Sequence, residues 1–243
     1  MVKTYLFSVI IFFILVSAIN AEIAVKVVKS SGDVKVRYGL DEKWQPIALG
    51  SILKDIDTIL TGEKSEAVLK LESGATFKLG SNAVLDIGDL RKIYEKELFL
   101  YLKSKKVEKM EPRYEKTPLR IGNVSVVHGE SKEKNDTKSY QESERKWAQL
   151  ELNGAIALQD QAYHPNAVIK FHTILEKYPE TTDKGKIYFY IANSLEALDM
   201  FGQAIDAFEV VIETYGQESD INAEKKERLF ASREAVERLK SQY

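Results

Sequence analysis

Two hydrophobic periods divide this chain. From Ile23 to about Gly129 apolar residues recur at every second position. Val34, Val36 and Tyr38 alternate with Lys35 and Arg37, Ala67, Leu69 and Leu71 alternate with Val68 and Lys70, and Phe77 and Leu79 flank Lys78. A period of two is the mark of strands with one dry and one wet face. Turn residues punctuate them at Ser30–Asp33, Gly39–Lys43, Gly62–Lys64, Glu72–Gly74 and Gly80–Asn82. Short strands at this spacing predict an antiparallel sandwich, barrel or roll. Leu98–Leu102 and Val124–Val127 read as later strands, with the charged stretch Lys103–Lys116 as an exposed edge or hairpin. Ser131–Ser143 is almost all Lys, Glu, Ser, Asn, Asp and Thr, a solvated linker in which Ser139 and Glu142 have capping-box spacing. From about Tyr140 the period becomes helical, opening with Trp147, Leu150 and Ile156. Pro165 fits a helix start. Tyr178–Pro179 and Tyr215–Gly216 fit helix ends, and Ile221–Leu239 reads as a closing helix.

The first residues set an expectation about compartment. A basic tip at Met1–Lys3, an apolar run from Tyr5 and small residues at Ser17, Ala18 and Ala21 are the three parts of a secretory signal peptide, cleaved after Ala21 or Ala18. The rival is a retained anchor. Tyr5–Ile19 would rise about 22 Å as a helix, short of the ~30 Å hydrocarbon core, which favours cleavage. No second apolar run of spanning length follows, so no transmembrane segment is expected after cleavage. The expected place is the periplasm or the exterior. The expected order is a signal peptide at 1–21, an antiparallel all-β domain at 22–130, a charged linker at 131–144 and helical repeats with a capping helix at 145–243. The fold class is multidomain, β then α.

Composition narrows the chemistry. The 243 residues include no cysteine, which removes disulfides, thiolate metal sites, thiol nucleophiles and lipid attachment through cysteine. Thirty-five basic residues against 37 acidic ones give a net charge of -2, without the basic excess of a nucleic-acid binder. The three histidines, His128, His164 and His172, have no metal-ligand spacing, and no Gly-x-Ser-x-Gly elbow is present. Asp55 and Asp57 could form an acid–base pair, but a turn in which Asp accepts local amides is the simpler reading. A calcium site at Asp55, Asp57 or Asp86 lacks ligand density. No catalytic residue, cofactor or metal is expected, and hence no enzyme.

The helical half repeats itself. Ala167, Phe171, Ile174, Leu175 and Tyr178 match Ala204, Phe208, Val211, Ile212 and Tyr215, each shifted by 37. Gly154 precedes Tyr163 as Ala192 precedes Phe201, nine residues on. Small residues let paired helices approach, and aromatics fill the gap to the next pair. Over roughly 145–216 this pattern resembles the tetratricopeptide repeat, a helix–turn–helix unit of about 34 residues. Gly216 here replaces the second proline. The overall pattern is similar to repeat domains of envelope proteins such as the Tol–Pal coordinator family. The resemblance implies a short all-α solenoid that binds extended peptides along the face of its first helices. Glu151, Ala155, Leu158 and Gln159 would face that groove from one unit, and Phe189, Asn193, Glu196 and Ala197 from the next. Asn193 would clamp a peptide backbone or carboxylate, or merely solvate its helix. Tyr188, Phe189 and Tyr190 are consecutive and cannot share one core, so at least one should be exposed or meet another repeat.

Trp44–Gln45–Pro46–Ile47, Leu49–Gly50, Leu53, Asp57–Thr58–Ile59–Leu60–Thr61–Gly62, Ser65, Ala67, Leu69, Leu71, Gly74, Phe77 and Leu79 resemble the FecR-type domain, an all-β periplasmic module. Ile56 stands where that family has glycine. The two resemblances together imply an exported scaffold or adaptor. Its partners would be envelope proteins or peptides, or peptidoglycan or another glycan, and not nucleic acid. The alternative is a ligand- or glycan-sensing module related to FecR-type regulators.

Overall fold

A computed structural model of the chain describes residues 24–108, 137–180, 182–219 and 221–242, with only the backbone described at 107–108 and 137–140. The expected signal peptide and the strand expected at Val124–Val127 lie outside these residues. The chain divides between Arg91 and Lys92 into two compact units.

The described residues of the first unit form eight strands: β1 (Ala24–Ser31), β2 (Val34–Arg37), β3 (Gln45–Pro46), β4 (Ile52–Lys54), β5 (Thr58–Thr61), β6 (Glu66–Leu71), β7 (Thr76–Leu79) and β8 (Ala83–Asp86). They form two four-stranded antiparallel sheets, ordered β4-β1-β6-β7 and β3-β2-β5-β8. The alternation read from the sequence places the core. Val25, Val27, Leu53, Ala67, Leu69, Phe77 and Leu79 are fully buried in the first sheet, as are Val36, Ile59 and Leu85 in the second. Val28 is an extra residue in β1, where the register slips between Val27↔Leu69 and Lys29↔Val68, and it turns outward. The β1–β2 turn requires glycine at Gly32. Its φ is +78°, and a Cβ there would lie 2.4 Å from Ser65 Oγ, which accepts the Asp33 amide at 2.8 Å. On the outer surface Lys29 and Lys78 flank Glu66, and hydrogen bonds from these two ammonium groups pull its carboxyl down to about 2. A short 3-10 turn, Ile87–Leu90, closes the unit.

The described residues of the second unit form six helices: α1 (Glu95–Glu108), α2 (Thr137–Asp160), α3 (His164–Lys177), α4 (Lys184–Glu196), α5 (Phe201–Gly216) and α6 (Ala223–Lys240). Leu98–Leu102, expected as a strand, is therefore helical. Leu98 is buried and Tyr101 and Leu102 are half-buried, while Phe99 and Leu100 are exposed, which is helical spacing. Ser139 lies inside α2 rather than at its cap. Each helix from α2 onward packs on the next, and α1 packs on α3.

Positions 37 apart are built alike. Ala167 and Ala204, Phe171 and Phe208, Ile174 and Val211, and Tyr178 and Tyr215 are all buried. Ala162 and Asp199 both turn through the left-handed region, at φ 63° and 56°. The next amide in each turn bonds back alike, Tyr163 N to Leu158 O at 2.8 Å and Met200 N to Leu195 O at 2.9 Å. Tyr178 and Tyr215 each end a helix and donate to a carboxylate, Glu151 at 3.0 Å and Asp183 at 2.9 Å.

Gly185 makes room for that second tyrosine, since a Cβ at this position would lie 2.5 Å from Tyr215 Cζ. Alanine normally gains up to about 1 kcal/mol over glycine in a helix interior, and less in the first turn. Overpacking a ring held at both ends costs about 1–3 kcal/mol. Gly185→Ala is expected to lower stability by about 1–2 kcal/mol in urea unfolding. A gain in stability would show that the ring moves freely.

Candidate functional site

The faces of α2, α4 and α6 meet at one groove. Arg145, Ala148, Gln149 and Leu152 recur at helical spacing on α2, so they share one face. With Asp183 and Lys186 at the start of α4, and Lys225 and Arg228 at the start of α6, they line a cavity of about 240 Å³. Local chemistry fixes both helix starts. Asp183 caps α4 by accepting the Lys186 amide at 3.0 Å, and Asn222 caps α6 by accepting the Lys225 amide at 2.9 Å.

Among the described residues four cations line this cavity, and they differ in how they are held. Lys225 Nζ bonds both Glu218 oxygens, at 2.9 and 2.7 Å, and lies over the Tyr215 ring. Arg228 reaches the exposed Glu224 at 3.4 Å. Arg145 and Lys186 have no carboxylate partner among the described residues. Burial, reinforced by the Asp183 carboxylate, raises the Tyr215 phenol well above its ordinary range, so it remains a neutral donor at any physiological pH.

The residues expected in a peptide groove are split by the structure. Leu158 and Ala155 are fully buried and Glu151 is 6% exposed, so these three cannot line an open surface. Glu151 is instead an internal acceptor, taking Lys177 Nζ at 2.6 Å and Tyr178 OH at 3.0 Å. Gln159 is half-buried and ties α2 to α4, donating to Tyr190 O at 2.9 Å and Ser194 Oγ at 3.0 Å. Phe189 meets the Phe208 ring at 6.1 Å. Glu196 accepts Arg238 of α6 at 2.8 Å, and Ala197 is exposed. Asn193 is half-buried, and its amide group has no hydrogen-bond partner among the described residues. Lys186, Phe189 and Asn193 follow one another along the same face of α4. Of the three consecutive aromatics none is exposed. Tyr188 meets His172 and Tyr190 stacks on Phe171, both in α3, whereas Phe189 turns to α5.

Asp57, half of the expected turn pair, is 4% exposed and accepts the Gly39 and Lys54 amides, both at 2.8 Å, so both its oxygens are engaged in holding the turn. Among the described residues no group of three or more His, Asp or Glu is placed to hold a metal, and no helix is long and apolar enough to cross a membrane. Compared with known proteins, the chain matches no family model, no curated protein and no solved structure.

Proposed function

We propose that this protein is an exported, non-enzymatic adaptor of the bacterial cell envelope. Its helical unit, of tetratricopeptide type, binds a segment of another protein along the α2–α4–α6 face, and its FecR-like β unit docks on a second envelope component. The observation that carries this reading is the 37-residue equivalence of the two helix hairpins. In support, α2, α4 and α6 share a cavity, and the Asn193 amide, on the Lys186 face of α4, has no hydrogen-bond partner among the described residues. The signal-peptide pattern at 1–21 supports an exported compartment. A groove of this kind works by reading side chains of an extended segment, with no covalent step.

Site-specific photo-crosslinking tests the reading in cells that produce the protein. A crosslinking residue at Asn193 is expected to capture a defined protein in the exported fraction, and one at Lys226, exposed on α6 outside the cavity lining, is not. Equal capture from both positions, or none from Asn193, would remove the groove from the account.

A further inference from the structure

We infer that the α2–α4–α6 cavity is an anion subsite that selects an acidic, extended peptide segment. This inference rests on the adaptor reading above and names the chemistry of the partner segment. The charge balance carries it. Residues 137–243, which include α2 to α6, hold 13 basic and 18 acidic residues, so the field around these helices is on average negative. Inside this cavity the sign reverses. Among the described residues, Arg145, Lys186, Lys225 and Arg228 line it with two carboxylates, Asp183 and Glu224. Asp183 accepts the Lys186 amide and the Tyr215 hydroxyl, both at Oδ1, and Glu218 from outside the lining pairs with Lys225, so four cations meet three carboxylates. Arg145 and Lys186, from two different helices, form no ion pair among the described residues and carry the excess positive charge.

Geometry adds to the charge. Two helix starts open on the cavity, and their dipoles favour an anion there. Arg228 leaves only 13% of its side chain to solvent and Lys225 25%, so their charges are screened less than those on an open helix face. Ala148 and Leu152, both buried, supply the apolar part of the lining. At about 240 Å³ the space lies below the ~300–1,000 Å³ of a small-molecule site. It suits one or two side chains of a longer ligand. A carboxylate between Arg145 and Lys186, with an apolar neighbour on Leu152, fills it.

The test is fluorescence anisotropy with a labelled hexapeptide of alternating Glu and Leu, its Gln–Leu counterpart, and unlabelled inorganic phosphate as competitor, all with the full chain. The acidic peptide is expected to bind, and the Gln peptide to bind at least tenfold more weakly. Arg145→Glu and Lys186→Glu are each expected to weaken the acidic peptide about tenfold or more, while Lys146→Glu, an equal charge change outside the cavity lining, leaves it within twofold. Lys186→Gln, which removes charge without reversing it, gives an intermediate loss, and unchanged thermal unfolding of these variants shows that the fold is intact. Equal weakening by Lys146→Glu would reduce the effect to general electrostatics and overturn the site. Full displacement by phosphate at the peptide's own concentration would leave an anion site with no peptide selectivity and overturn the partner class. Absence of acidic-peptide binding alongside continued capture from Asn193 would sink this inference and leave the adaptor reading standing.

Discussion

Phe208→Ala is expected to remove about 3–5 kcal/mol from the stability of the helical unit, the cost of deleting a large buried aromatic and leaving part of its cavity unfilled. Domains of this kind are held by about 5–15 kcal/mol in all, so this single change brings the unit close to unfolding. Phe208 is 1% exposed and lies 6.1 Å from Phe189, so its ring joins α5 to α4. Phe171 holds the equivalent place one repeat earlier, fully buried and stacked on Tyr190 at 5.6 Å. Phe171→Ala is therefore expected to cost about as much. Urea unfolding followed by helical circular dichroism checks both, with the midpoint falling and the slope retained. A loss below about 1 kcal/mol at either position would show that the two rings are not the equivalent keystones the 37-residue spacing makes them.

That equivalence was legible because close packing leaves a periodic record. A ring that must fill the same gap in two hairpins recurs at a fixed interval, as Phe171 and Phe208 do. The strands were legible for a similar reason, since a sheet with one dry face enforces alternation, and Lys35 and Lys78 fall between buried neighbours. Helix α1 was misread because Leu98–Phe99–Leu100–Tyr101–Leu102 is apolar throughout, and a continuous run has no period to distinguish strand from helix. Its flanks did carry a signal, with Glu95 and Glu97 in the first turn and Lys105 and Lys106 in the last, the charge order a helix dipole favours. The candidate face was only half legible. A helix enclosed by neighbours on two sides buries more than one stripe, and this draws Glu151 and Leu158 inward while Asn193 is only half-buried. The cationic cavity left no local trace, because Arg145, Lys186 and Arg228 come from three helices and meet only when the hairpins stack.

Lys177→Met is expected to cost about 3 kcal/mol, which is large for a residue whose side chain is 54% exposed. The cost arises at its partner. The Glu151 side chain is only 8% exposed, and its Oε1 holds Lys177 Nζ at 2.6 Å and Tyr178 OH at 3.0 Å. Burial acts to lower the Lys177 ammonium, but the Glu151 carboxylate outweighs it and holds its pKa above the ordinary lysine range. Removing the lysine leaves a buried carboxylate with one neutral donor, and breaking a buried pair from one side costs about 3–5 kcal/mol. The lower end of that range applies because the lysine end faces water. Replacing both charges is a different matter, since an apolar pair avoids the desolvation that the ions incur. Adding Glu151→Leu to Lys177→Met is therefore expected to recover most of the loss, and the four-member cycle in urea is expected to give a coupling of about 1–3 kcal/mol. The cycle also separates the two roles considered for Glu151. A residue that touches a ligand in an open groove would show no coupling to Lys177, and Glu151→Gln would weaken binding with stability unchanged. A residue that ties the end of α3 to α2 from within shows the coupling, and the same substitution lowers stability while leaving acidic-peptide binding intact.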